Sequence, residues 1–125
     1  MNRFVMLLLA VLTIGVISPA FSLDGAQFTK VLTAAVQADE YLYSLMGPET
    51  PKHSPEFQAA LAGQKKTRAA VANEINALDS TDDIQQALVI ARAFSAKGGS
   101  FAAIGSLAEN LLRARLPFVT AHQLP

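Results

Sequence analysis

The chain has 125 residues, ten basic and ten acidic side chains, and no cysteine. This length indicates a single domain, and the missing cysteine excludes disulfides, thiol redox chemistry and cysteine-ligated metals. The balanced charge gives no electrostatic footprint for nucleic acid or for an anionic membrane.

Residues 1–22 have the layout of a secretory signal peptide. A short head carries Arg3, an apolar run follows over residues 4–17, and the helix-breaking pair Ser18-Pro19 comes next. This order of charged head, apolar run and small residues is typical of export signals. The apolar run would span roughly 21 Å as a helix, which is shorter than the ~30 Å hydrocarbon core of a bilayer. We therefore expect cleavage rather than a stable membrane anchor, and a periplasmic or secreted location.

Two cleavage sites fit the small residues after the apolar run. Ala20 and Ser22 place the cut before Leu23, whereas Ser18 and Ala20 place it before Phe21. The first is preferred and leaves 103 residues. Because the signal holds one of the ten basic side chains and none of the ten acidic ones, the remaining chain has a net charge of −1.

Apolar periodicity and capping residues predict four helices, at about 26–46, 55–78, 82–97 and 101–116. The first is expected to end at Gly47-Pro48, and Ser54 with Pro55 begins the second. Ser80 or Thr81 caps the third, which explains the acidic run at 79–83 more simply than a calcium site does.

The fold class that follows is all-α, a small antiparallel four-helix bundle. The bundle would occupy residues 23–116. Pro117 is expected to end the last helix, so that residues 117–125 form a C-terminal tail. The alternative is a three-helix bundle in which the last two helices are one helix, kinked at Gly98-Gly99.

Polar residues interrupt the predicted apolar faces of the first two helices. Asp39 lies within the stripe of the first helix, and Gln64 and Arg68 lie within that of the second. A hairpin of these helices would bring them together as a buried network, because an unpaired buried charge is costly. Two other interpretations remain: a kink at Asp39, or a ligand site with Asp39, Arg68 and Tyr43 as polar anchors.

The connection at residues 47–55 is rich in proline and carries Glu49, Lys52 and His53. Its simplest role is to join two helices, and its alternative role is a recognition loop. Both histidines, His53 and His122, lack a helical partner at metal-ligand spacing, so neither a metal nor a cofactor is expected.

The poverty of catalytic groups favours a non-catalytic interaction module that binds another protein, as an inhibitor, immunity-like factor, adaptor or chaperone. One alternative is a bundle that binds a small apolar ligand or cofactor between its helices. The least favoured alternative is a hydrolytic enzyme that uses Asp39 as a base.

Overall fold

The computed structural model describes residues 23–47 and 51–123. The predicted signal peptide and Glu49 lie outside these residues. Within them the chain is all-helical and no strand occurs. The four helices are α1 (Gly25–Ser44), α2 (Pro55–Asn76), α3 (Thr81–Ser95) and α4 (Gly99–Gln123). The prediction of an all-α fold with four helices is confirmed.

Three helices begin at side-chain caps. Asp24 Oδ1 accepts the backbone N–H of Gln27 at 3.1 Å, Ser54 Oγ that of Phe57 at 3.1 Å, and Ser80 Oγ that of Asp83 at 3.1 Å. Each cap satisfies a backbone donor that has no partner inside its helix. Ser80, rather than Thr81, is the cap of α3.

The turn between α3 and α4 separates these helices, so the alternative of one kinked helix is wrong. Gly98 and Gly99 have φ angles of 78° and 58°, a left-handed conformation that other residues adopt only at a steric cost. Lys97 covers the turn, with Nζ 5.5 Å from the ring centroid of Phe94 and 4.9 Å from that of Phe101. These contacts join the end of α3 to the first turn of α4.

The last helix continues through Pro117 to Gln123, so the prediction that Pro117 ends it was wrong. Proline lacks the N–H of a normal helical bond, at a cost of about 3 kcal/mol. Continuing the helix buries Val119, which is 2% exposed and packs in the main core. Full burial of a valine contributes about 1.5–3 kcal/mol, which offsets much of the cost of the proline.

The core has two parts. A main cluster receives side chains from all four helices, and its largest fully buried members include Phe28, Leu32, Val71, Ile75, Ile84, Ile104 and Leu112. A smaller cluster near the connection between α1 and α2 contains Leu42, Phe57 and Ala60, with Leu45 and Leu61 packed against it. The most extensive packing joins α1 to α2 and α3 to α4.

Gly105 allows the close approach of α4 to α3. A Cβ atom at Gly105 would lie 2.5 Å from both the backbone nitrogen and Oγ of Ser95, and 2.7 Å from the carbonyl oxygen of Ala91. Two of these three atoms belong to backbone groups, which cannot rotate away. The packing of α3 on α4 therefore requires a residue without a side chain at this position.

We expect Gly105→Ala to lower the free energy of unfolding by about 2 kcal/mol, because the added methyl group forces α3 and α4 apart. Denaturant unfolding measures the change. Gly63→Ala in α2 is the matched control, since a Cβ there meets nothing within 4 Å. It should raise the free energy of unfolding by about 0.5–1 kcal/mol through helix propensity. Equal effects of the two substitutions would show that Gly105 does not limit the helix approach.

Candidate functional site

Asp39 is a charged residue with a fully buried side chain, 0% exposed. It lies in the third quarter of α1, which runs without interruption from Gly25 to Ser44. The interpretation of a kink before Asp39, with Asp39 capping a new turn, is therefore wrong. The carboxylate belongs to the packed interior.

Two side chains of α2 bind the two oxygens of this carboxylate. Gln64 Nε2 donates to Asp39 Oδ1 at 3.1 Å, and Arg68 NH2 donates to Asp39 Oδ2 at 2.8 Å. Gln64 and Arg68 are four residues apart, so they share one face of α2. The structure thus brings together three of the residues that the sequence predicted to meet.

The accessibility of the two charged partners differs. The side chain of Arg68 is 37% exposed, whereas that of Asp39 is closed to solvent. Arg68 Nε is a buried atom that makes no hydrogen bond to any described residue. The side chain of Arg68 therefore joins the buried carboxylate to the surface. Both oxygens of the Asp39 carboxylate are hydrogen-bonded, and its side chain is closed to solvent.

Tyr43 lies one helical turn after Asp39 in α1. Its side chain is 53% exposed, so the buried polar group consists of Asp39, Gln64 and Arg68. Lys52 and His53 are exposed on the connection between α1 and α2. One hydrogen bond joins that connection to α2: Gln58 Nε2 donates to the carbonyl oxygen of Lys52 at 2.7 Å.

A second buried carboxylate was not identified as a site from the sequence. Asp83 is 5% exposed, and its Oδ1 accepts the backbone N–H of Leu23 at 2.9 Å. Asp83 belongs to the acidic run at residues 79–83 and lies in the first turn of α3. Its partner is 60 residues away in the chain, and no local pattern predicts such a contact.

Glu109 is the centre of a polar group between α3 and α4. Its Oε2 accepts from Arg113 NH2 at 3.0 Å and from Arg92 Nε at 3.4 Å, and its Oε1 accepts from Ser95 Oγ at 3.5 Å. Glu109 and Arg113 are four residues apart on one helix, a spacing that favours this pair, whereas Arg92 belongs to the neighbouring helix α3. Because both arginines are more than half exposed, these pairs contribute little to stability.

A small groove of about 220 Å³ lies between α2 and α4, with Asn76, Leu111, Ala114, Arg115 and Phe118 as its lining. Arg115 Nε donates to the carbonyl oxygen of Leu78 at 3.1 Å, which fixes that arginine against the end of α2. The groove is separate from the Asp39 group, and its volume is below the ~300–1,000 Å³ usual for small-molecule pockets.

Within residues 23–47 and 51–123, no three or more His, Asp or Glu side chains are grouped as metal ligands. No helix in the same ranges is long and apolar enough to cross a membrane. Comparisons of the chain with protein-family models, with curated proteins and with solved structures found no match.

The ion pair of Asp39 and Arg68 predicts a non-additive pair of substitutions. Arg68→Met should lower the free energy of unfolding by about 3–5 kcal/mol, because it leaves the Asp39 charge buried without a counter-charge. Asp39→Ala should cost less, since Arg68 can turn its exposed end to water. The double variant should be more stable than Arg68→Met alone.

Thermal and denaturant unfolding of the four proteins measure this coupling. Lys65→Met is the matched control, because it removes a basic side chain from an exposed position of the same helix. It should change the free energy of unfolding by less than about 0.5 kcal/mol. Additive losses for Asp39→Ala and Arg68→Met would contradict a direct pairing.

Proposed function

We propose that this chain is a small exported protein with a non-catalytic role, binding another protein as an inhibitor, immunity-like factor, adaptor or chaperone. The observation that carries the proposal is the exposure of large apolar side chains at the end of α1. Tyr41, Tyr43 and Met46 are 50%, 53% and 56% exposed. Aromatic residues and methionine are enriched in the centres of protein interfaces.

The geometry at the end of α1 supports a surface rather than a poorly packed core. Leu42 is buried and Leu45 is half-buried, and both contribute to the small cluster with Phe57. The backbone N–H of Met46 donates to the carbonyl oxygen of Tyr43 at 3.1 Å, so the helical turn extends to Met46. Tyr43 and Met46 are three residues apart, so they lie close together at the end of α1, where both are exposed.

The connection at residues 47–55 follows α1 in the chain, and its Lys52 and His53 are exposed. Apolar anchors beside a polar rim are the usual anatomy of a protein interface. We therefore place the recognition surface at Tyr43, Met46, Lys52 and His53.

The internal polar groups favour this role over the alternatives. Asp39 is fully buried and hydrogen-bonded through both oxygens, which leaves the hydrolytic role without an accessible base. A ligand site between the helices would need Asp39, Arg68 and Tyr43 to converge on open space. Instead, the first two bind each other, and Tyr43 lies at the surface.

The arrangement of the bundle in this proposal is antiparallel. Asp39 contacts Gln64, whereas Leu42, further along α1, packs with Ala60, which is earlier in α2. Likewise, Ser95 at the end of α3 lies against Gly105, and Arg92 reaches Glu109 further along α4. Neighbouring helices that run in opposite directions produce this order of contacts.

The partner is tested by capture from the exported fraction of the source organism. The wild-type chain, immobilised, should retain one protein in a stoichiometric amount. Tyr43→Ser combined with Met46→Ser should weaken that capture at least tenfold, because buried aromatic anchors contribute about 2 kcal/mol or more to binding. Val89→Ser is the matched control, since Val89 is 65% exposed on α3. Equal capture by all three proteins would contradict the assigned surface.

Export has its own test, based on the apolar run of residues 4–17. Leu8→Arg should keep the full-length chain unprocessed inside a bacterial host, because a charge within the run prevents recognition as a signal. Asn2→Arg adds the same charge to the head and should be exported like the wild type. Intact masses of the exported and internal fractions measure both. Processing of Leu8→Arg to wild-type levels would contradict a signal peptide.

A further inference from the structure

The contact between Leu23 and Asp83 joins two segments that are 60 residues apart in the chain. The backbone nitrogen of Leu23, just before α1, lies 2.9 Å from Oδ1 of Asp83 in the first turn of α3. Asp83 is 5% exposed, and the side chain of Leu23 packs against the main core. Among the described residues, the donor to Asp83 is a neutral amide, and a charged donor would bind a buried carboxylate more strongly.

Leu23 is also the residue that follows the preferred cleavage site of the proposed signal peptide. Hydrolysis of the bond between Ser22 and Leu23 adds one water. Ser22 keeps the new carboxylate, and the nitrogen of Leu23 becomes an α-ammonium group. The nitrogen that contacts Asp83 as an amide in the full-length chain is therefore the nitrogen that acquires a charge.

We propose that removal of the signal at Ser22–Leu23 creates an α-ammonium group that forms a partly buried ion pair with Asp83, so that processing itself fastens α1 to α3. This inference rests on the proposed export of the chain. In this inference, Asp83 is the residue that binds the α-ammonium group of the processed chain. It also selects the cut before Leu23 over the cut before Phe21, which would leave the nitrogen of Leu23 in a neutral amide.

The surroundings of Asp83 suit this role. Its backbone N–H is held by Ser80 Oγ at 3.1 Å, so the residue is fixed at the start of α3. The positive end of the helix dipole there favours a carboxylate. An ammonium group offers three donors and a full charge, and a charge-assisted bond is roughly twice as strong as a neutral one.

The test is a thermodynamic cycle on chains with defined N-termini. The chain that begins at Leu23 is released from a fusion by a protease that leaves no extra residue. A portion is acetylated at the α-nitrogen, which keeps an N–H donor and removes the charge. Asp83→Asn should lower the folding equilibrium constant about tenfold more in the free chain than in the acetylated chain.

Asp82→Asn is the matched control. It removes the same charge from the same helical turn, but Asp82 is exposed. Its effect should be equal in the free and acetylated chains. If Asp83→Asn has equal effects in the two chains, the ion pair is overturned. If that variant does not fold, the free and acetylated wild-type chains are compared instead. The free chain should melt about 5 °C or more above the acetylated chain, and equal melting temperatures overturn the inference.

Mass spectrometry of the exported wild-type chain separates this inference from the proposal beneath it. A chain that begins at Leu23 is the expected product. An exported chain that begins at Phe21 overturns the role of Asp83 and leaves export intact. A chain that stays unprocessed inside the host overturns export, and the inference with it.

Discussion

The packing of α1 against α2 depends on the buried carboxylate of Asp39, which needs a counter-charge and hydrogen-bond donors within the protein. Gln64 and Arg68 meet that requirement from α2, at 3.1 Å and 2.8 Å. A slip of α2 by a single residue would rotate both donors away from the carboxylate. A buried pair of this kind adds modestly to stability but penalises every other alignment of α1 on α2. The small apolar cluster around Leu42 is held in register as a consequence.

The other half of the bundle is aligned by different means. Gly105 lets α4 approach the backbone of α3, and Asp83 ties the start of α3 to the segment before α1. Gly105 and Asp83 are both buried, and both hold neighbouring segments together. The carboxylates of Asp39 and Asp83 are thus used inside the fold, whereas the large apolar side chains of Tyr43 and Met46 lie at the surface. The exposed apolar side chains are the feature on which the proposed binding role rests.

Much of the fold could be predicted because its signals are local. Ser54 and Ser80 begin helices through hydrogen bonds that span three residues, and Gly98 and Gly99 end one through their backbone conformation. Pro117 shows where local rules fail. Its ring disfavours a helix, but a continuous helix buries Val119 two residues later. That burial stabilises the helix only when the rest of the core is folded.

The candidate sites divide in the same way. The sequence by itself determined that Asp39, Gln64 and Arg68 interrupt apolar faces, and a helical hairpin was enough to bring them together, because position on a face follows from a fixed period. Only the tertiary structure decided that Tyr43 is exposed, that Arg92 joins Glu109, and that Asp83 holds the nitrogen of Leu23. Those outcomes depend on how helices distant in sequence are placed against one another, and the period of a single helix carries no information about that placement.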